Sequence, residues 1–490
     1  MMRSVAAFPA AIFAALRGSR SRAYLKVLAV VSGARLFGLA SQFVVLVILS
    51  RILTKDSFGD MMTAFGFYRL AGVALGVGPS LLLVFHISRR PHDQETEIKL
   101  HRYSAILGAV VSATVALVGY LGAGPIATAL HKPGLAVWFE LLAPFAVFST
   151  LLVVAAGALE GRSRISESIV LSEVVPNAIR IVLLPLVALA SLPASFVAHV
   201  LTLSVLLPWL WAARRMWNRE IAGTAPWTRW DYSYSGKFVF ATLFAYQLGG
   251  ADILVAGALF SSEAVADYAV ASRLAALYGF FQLALLKRFA PRAGHLQETG
   301  DLATLRQEID LCRRLVIGCT VFTICGIFVL APYILPVFGN YKGAEALLIW
   351  LAIPSFVVSF YATSDRLLIS AGQANIAVAL TGASFLVLTM TPFVTAPWLG
   401  MLAIPAAMIL SAILLQPVVA VRVQRLFNVR TITPGDAAMM VCGTLAIAGY
   451  AMTRTPASAA AVCTILAIIG LVYMIPVIRR SRPHAEATAA

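Results

Sequence analysis

MMTAFGFYRLAGVALGVGPSLLLVFHI, from Met61 to Ile87, runs 27 residues with Arg69 as its one permanently charged side chain. Wound as an α-helix at about 1.5 Å per residue, it is about 40 Å long, enough to cross a hydrocarbon core of about 30 Å. Inside lipid a single segment must satisfy its own backbone N–H and C=O groups, and only a helix does so. The stretch therefore reads as a membrane span.

Similar runs recur along the chain. Six lie at 27–50, 61–87, 104–121, 137–159, 169–190 and 194–212; six more follow at 238–260, 264–286, 315–337, 346–369, 374–395 and 401–421; a last pair lies at 437–452 and 459–478. The thirteenth is the shortest. Of the 490 residues 60% are apolar and 12% charged, with a mean hydropathy of +0.87, against about a quarter charged in soluble chains. The fold class is all-α: a polytopic membrane protein of about 14 transmembrane helices. Its expected organisation is a basic cytoplasmic or interfacial N-terminus (1–26), an N-lobe (27–212), a cytoplasmic linker (213–237), a C-lobe (238–421), an accessory pair (422–478) and a cytoplasmic tail (479–490).

Charge placement gives an expected orientation. With the N-terminus inside, the cytoplasmic segments collect 26 of the 38 Lys and Arg residues and the outer loops hold five: Arg51, Lys55, Lys132, Lys342 and Arg454. That asymmetry follows the positive-inside rule and supports an even number of spans. Arg3, Arg17, Arg20 and Arg22 surround a short apolar patch ahead of the first acidic residue, Asp56. This start reads as a basic interfacial segment, with an organellar transit peptide as the alternative. The net charge of +16 has no soluble face on which to meet nucleic acid. Cys312, Cys319, Cys325, Cys442 and Cys463 are an odd set without a disulfide pattern, and the seven histidines lack metal-ligand spacing.

An internal repeat is visible at an offset of 207. Asp56-Ser57-Phe58-Gly59-Asp60-Met61 aligns with Glu263-Ala264-Val265-Ala266-Asp267-Tyr268, and each stretch joins the first and second spans of its six-span set. Ser32-Gly33-Ala34-Arg35 loosely echoes Ser235-Gly236-Lys237. Both sets start on the same side, so the halves run parallel, and repeated halves of this kind hold substrate at their interface. A central cavity between two six-helix lobes is the expected site.

A charge at mid-membrane costs about 2.5–3.5 kcal/mol and faces protein or water. Arg35, Arg69, Arg180 and Arg273 fall inside spans 1, 2, 5 and 8. Arg69, Gly72 and Gly76 share one helical face, as do Arg35, Gly38 and Gln42. Gly72 and Gly76 also form a GxxxG pattern, which equally serves helix packing. Glu173, Asn177 and Arg180 make a polar strip beside Pro176, where Arg180 could simply pair with Glu173. Asp252 and Asp365, with Glu173, are the candidate ion-coupling carboxylates, since a buried carboxylate needs a cation, a proton or an arginine. Lys237 and Arg366 lie near cytoplasmic ends, where snorkelling explains them.

The chain has no G-x-x-x-x-G-K-[ST] phosphate loop, and its outer loops are too short for a catalytic cluster. A transporter without a resident cofactor is the expectation, with coupling to Na+ or H+ open.

Five stretches carry a family likeness: SRILTKDSFGDMMTAFGFYRLAGVALGVG from Ser50, ALEGRSR from Ala158, GADILVAGALFSSEAVADYAVASRL from Gly250, ILPVFGNYKGAEALLIWLAIP from Ile334 and LISAGQANIAVALTG from Leu368. In order and spacing the chain resembles the polysaccharide and oligosaccharidyl-lipid flippases of the multidrug/oligosaccharidyl-lipid/polysaccharide exporter superfamily. The resemblance implies alternating access that moves an undecaprenyl-diphosphate-linked oligosaccharide across a bacterial inner membrane, beside glycosyltransferases and a polysaccharide polymerase. It also implies a cationic cavity, with Arg35, Arg69 and Arg273 on the helices where relatives carry arginines. Asp252 matches a helix that carries an acidic residue at a cation site in some relatives, but span 11 has no acidic partner. A cation-coupled multidrug exporter is the alternative, and a membrane glycan polymerase or ligase a further one.

Overall fold

The computed structural model describes residues 37–38, 40–89, 94–162, 164–216, 227–245, 250–370, 373–427 and 431–480. All the regular structure among these residues is helical, with no strand among them. In chain order the helices begin with α1 (Ala40–Ile52), α2 (Lys55–Arg89), α3 (Gln94–Leu121), the short α4 (Ala123–Ala129), α5 (Pro133–Gly161), α6 (Ile165–Leu189) and α7 (Phe196–Met216). Then come α8 (Arg229–Ala245), α9 (Asp252–Leu259), α10 (Ser262–Ala275), α11 (Phe280–Glu298), α12 (Leu302–Phe338) and α13 (Lys342–Ser370). The chain closes with α14 (Ala374–Leu399), α15 (Ala403–Phe427), α16 (Pro434–Thr453) and α17 (Pro456–Arg480).

Ten helical stretches among the described residues are long and apolar enough to cross a membrane. One of them, Asn375–Phe427, contains two of the expected spans. It is divided at Gly400, whose φ of 53° lies in the left-handed region and starts a 3-10 turn into α15. The shorter α1 is the described part of the first span; its earlier residues, Arg35 included, lie outside the described set. Span 7 is seen as α8 and α9, with 246–249 outside that set. Span 8 is α10 and α11, joined by a 3-10 turn at Ala276–Gly279. The short thirteenth span is a full helix, α16.

Two helices extend well beyond their apolar runs. α3 begins ten residues before the expected 104, and α12 starts at Leu302 rather than 315. In both, polar and charged residues continue the helix past the membrane: Glu97 of α3 pairs with Arg162 at the end of α5, and Arg292 of α11 pairs with Glu308 of α12 at 2.7 Å. Hydropathy reports the bilayer and not the end of a helix.

The exposure pattern is that of a protein in lipid. Leu189, Phe322, Trp398 and Met452 are each more than three-quarters exposed, and such a continuous apolar exterior belongs against hydrocarbon.

The chain forms two compact units that cut across sequence order. The first takes residues up to Ile52, Ala71–Gly122 and Phe139–Phe240; the second takes Leu53–Leu70, Ala123–Trp138 and the residues from Ala241 onward.

In the first unit, Gly72 and Gly76 lie against α5. A Cβ on Gly72 would clash with the Ser149 side chain, and one on Gly76 would sit 2.7 Å from Val153 Cβ. Thr150 Oγ1 donates to the Gly72 carbonyl at 3.2 Å. The GxxxG stripe is thus a packing surface, as such patterns are where no hydrophobic effect drives helices together. At another point of this unit, α8 docks on α2: Trp230 stacks on Tyr234 with centroids 4.8 Å apart, Phe85 lies 5.1 Å from Trp230, and His86 Nε2 meets Asp231 Oδ1 at 2.8 Å. Burial alone would raise the Asp231 pKa, but the bonds from His86 and Thr228 outweigh it and hold the carboxyl below its ordinary range.

In the second unit, α16 and α17 are tied to α12 by buried polar groups. Asp436 forms a capping box with Thr433 at the start of α16. It also takes a guanidinium bond from Arg313 and a hydroxyl bond from Tyr473. Arg313 further donates to the Thr431 carbonyl at 3.1 Å. Removing one member of a buried pair leaves the other charge uncompensated, at about 3–5 kcal/mol. Asp436→Ala is expected to lower the thermal unfolding midpoint of the detergent-purified protein by several degrees, with Asp436→Asn losing less. An unchanged midpoint would remove this network from the account of how the last two helices are held.

Candidate functional site

The second unit brings three of the expected site residues together. The first turns of α2 carry small residues at positions 59, 63 and 66, one helical face. A Cβ on Gly59 would clash with the Ser262 carbonyl oxygen, and one on Gly66 would lie 3.3 Å from Ile253 Cγ2. Across the same contact, Thr63 occupies the space beside Gly257, where a Cβ would collide with it. This seam holds α2 against α9 and α10. Arg69 is one turn beyond Gly66 on that face, half-buried, with its guanidinium carbon 6.0 Å from the Phe65 ring centre.

Asp252, on α9, is fully buried. Its Oδ1 accepts from the Gly250 and Ile253 N–H groups, each at 2.8 Å, and its Oδ2 accepts from the Tyr268 hydroxyl at 2.8 Å. Arg273 is half-buried in the last turn of α10, within electrostatic reach of Tyr268. Arg69, Asp252 and Arg273 therefore belong to neighbouring turns of three packed helices.

Arg180 and Glu173 belong to the first unit, both on α6. Arg180 Nε donates to Ser204 Oγ at 2.8 Å and its NH1 to Asn177 Oδ1 at 3.3 Å. Glu173 lies in a π-helical turn, Val170–Val174. Pro176 explains that wide turn, because it has no N–H for the carbonyl four residues back. Gly38 of the first span approaches Glu173, where a Cβ would sit 3.5 Å from its Oε2. Asp365 lies on α13, its side chain outside the described set. No cluster of three or more His, Cys, Asp or Glu able to hold a metal occurs among the described residues.

A polar network at the start of α2 completes the second unit's contacts. Lys55 Nζ donates to Asp267 Oδ2 at 2.9 Å and lies 5.6 Å from the Tyr341 ring centre. Ser262 Oγ donates to Asp60 Oδ1. Lys132 is buried and donates to the Gly257 carbonyl at 2.7 Å. Its burial pushes the ammonium pKa down, while Asp60 opposes that shift.

Asp60 and Asp267 are the aligned residues of the repeat, and their surroundings repeat as well. Gly134, second residue of α5, would place a Cβ 2.7 Å from Asp60 Oδ2. Gly343, second residue of α13, donates its N–H to Asp267. Each carboxylate thus sits at a helix N-terminus, where the dipole and free N–H groups favour negative charge. The 207-residue offset was the signal for this pair; the lysines that meet it give no sequence signal, because Lys55 and Lys132 read as ordinary loop charges.

With these contacts in place, the helical arrangement can be compared with solved structures. It matches an inward-facing multidrug resistance MATE family transporter of the MOP superfamily with a TM-score of 0.69 at 17% identity, covering 80% of this chain and 96% of that one. It matches the lipid II flippase MurJ in its inward closed conformation with a TM-score of 0.70 at 12% identity, covering 93% and 100%. A MOP superfamily transporter from Pyrococcus furiosus, described as having a binding pocket of reverse polarity that suggests a different function, matches with a TM-score of 0.55 at 14% identity, covering 82% and 96%. The fold is therefore the one these solved structures share, that of an all-helical polytopic membrane protein. The chain belongs to the polysaccharide biosynthesis protein family, whose pattern covers residues 25–282. No curated protein sequence matches it.

The seam between Gly59 and Ser262 is closed backbone to backbone, so a methyl added there overpacks it at a cost of about 1–3 kcal/mol. Gly59→Ala is expected to lower the unfolding midpoint, whereas Gly124→Ala, which meets nothing within 4 Å, should leave it within a degree. Equal behaviour of the two variants would show that the α2 seam does not bear on stability.

Proposed function

We propose that this protein is a flippase that carries undecaprenyl-diphosphate-linked oligosaccharide from the inner to the outer leaflet of a bacterial inner membrane, by alternating access and with both termini cytoplasmic. The observation that carries this reading is the pair of half-buried arginines, Arg69 and Arg273, set on packed transmembrane helices of a polysaccharide biosynthesis family member. A guanidinium offers planar, paired donors that match a phosphate group, and charge-assisted bonds of this kind replace the water that a diphosphate loses on entering the protein. Arg35 and Arg180 are proposed as further parts of the cationic surface. The polyprenyl chain stays in lipid, so only the charged and sugar-bearing head needs a protein path.

In this orientation the Lys55, Asp60, Lys132 and Asp267 network lies at the outer ends of the spans. It would have to part for the head group to leave on that side. Asp252 positions Tyr268 and the start of α9, and its three hydrogen bonds leave it less suited to a coupling ion than an open carboxylate. Glu173, at a π-helical turn, and Asp365 are the other proposed coupling carboxylates, for Na+ or H+. A polymerase and glycosyltransferases would act on either side of the flipping step.

The MATE-like fold favours a cation-coupled multidrug exporter as the second reading. Positive charge at Arg69 and Arg273 weighs against it, because cationic drugs would be repelled.

Proteoliposomes containing the purified protein and fluorescent polyprenyl-diphosphate-linked glycan test the proposal. The wild type is expected to expose the glycan to an outer quencher, and Arg69→Ala combined with Arg273→Ala to slow this at least tenfold. Undiminished flipping by the double variant would overturn the arginine mechanism; efflux of a cationic dye with no glycan flipping would favour the exporter.

A further inference from the structure

A cavity of about 600 Å³ lies inside the second unit, among α10, α11, α13, α14 and α15. Its walls are mainly small and aliphatic, and six uncharged polar side chains interrupt them: Gln282, Ser355, Thr381, Ser384, Ser411 and Gln416. Among the described residues no charged side chain lines it. This chemistry is distinct from that of Arg69 and Arg273.

The hydrogen bonding of the lining points to one kind of ligand. Thr381 Oγ1 donates to the Ala377 carbonyl at 2.8 Å, and Ser355 Oγ donates to the Leu351 carbonyl at 3.3 Å. Ser384 and Ser411 share one bond between their hydroxyls at 2.6 Å. The Thr381 and Ser355 bonds use their O–H donors and leave oxygen lone pairs over. Gln416 adds an amide oxygen, Oε1, that is buried with no hydrogen-bond partner. A buried acceptor of this kind is costly unless something donates to it.

The cavity therefore presents uncharged acceptors, Gln416 Oε1 among them, together with the amide donors of Gln282 and Gln416, between apolar walls. An anion would find no positive charge among the described lining residues. A hydrocarbon chain would leave Gln416 unpaired. A bare cation would want carboxylates and a tight shell of oxygens, and this space is far larger than an ion. A neutral ligand rich in hydroxyl donors, with apolar ring faces, satisfies both parts of the lining, and the volume falls in the range of small-molecule sites.

We infer that this cavity is a saccharide subsite, which takes sugar rings of the transported glycan while the diphosphate is held by arginines elsewhere. The inference rests on the flippase reading and extends it by separating head-group charge from sugar recognition.

The test uses the full chain in detergent and two probes: lipid-linked glycan extracted from the cells that make this protein, and undecaprenyl diphosphate without sugar. Gln416→Leu removes the acceptor at similar volume, and Ala412→Trp fills the cavity. Both are expected to weaken binding of the glycan-bearing lipid at least tenfold and to leave bare undecaprenyl diphosphate within twofold, which also shows that the variants fold. If Ala412→Trp does not fold, Gln416→Leu carries the test. Equal weakening of both probes, or none of the glycan-bearing one, overturns the subsite and leaves the flippase reading standing. A Gln416→Leu effect seen only in sodium-containing buffer assigns the cavity to a cation and overturns it as well. Binding of neither probe to the wild type overturns the flippase reading, and the subsite with it.

Discussion

Hydrocarbon offers no hydrogen bonds, and the interior of this protein is organised around that lack. A polar group placed within a span must find its partners in the protein. Asp252 is met by two backbone N–H groups and a tyrosine hydroxyl, Arg180 by a serine and an asparagine. Hydroxyls such as Thr63, Ser112 and Thr389 turn back to carbonyls of their own helices. The outer faces, by contrast, carry leucine, phenylalanine and tryptophan toward lipid. Polarity inside and apolar surface outside are two sides of one constraint.

The same solvent removes the hydrophobic drive that pairs helices in water, so close backbone approach takes its place. α2 shows this along its length. Its early face, around Gly59 and Gly66, closes on α9 and α10 within the second unit; its later face, around Gly72 and Gly76, closes on α5 within the first. Arg69 follows the first of these seams by one turn, so that seam fixes where its long side chain starts. The repeated carboxylates work with this packing. Asp60 and Asp267 each stand at the N-terminus of a long helix, and the glycines Gly134 and Gly343 let them come that near.

Charge and neutral polarity are kept apart in the second unit. Arg69 and Arg273 lie by the α2 seam, while among the described residues the cavity between α10, α11, α13, α14 and α15 has only hydroxyls and amides between its apolar walls. A lipid-linked glycan has the same division, with its charge confined to the diphosphate and its hydroxyls to the sugars. That correspondence joins the proposed transport to particular side chains.

The sequence alone determined the helical membrane fold, because apolar runs of about 20 residues have one stable form in lipid. Even the short run at 437–452 is a full helix, and the 207-residue offset marked Asp60 and Asp267 as equivalent. It also singled out Arg69 and Arg273, since a charge inside an apolar run is conspicuous whatever surrounds it. What it left open depended on neighbours distant in the chain. Only the tertiary structure decided that Gly72 and Gly76 pack against α5, that Arg180 bonds to Ser204, that Lys55 meets Asp267 more than two hundred residues away, and that Gln416 ends in a cavity without a donor. Periodicity tells which residues share a face of one helix; which helix that face meets is decided by the packing of the whole chain.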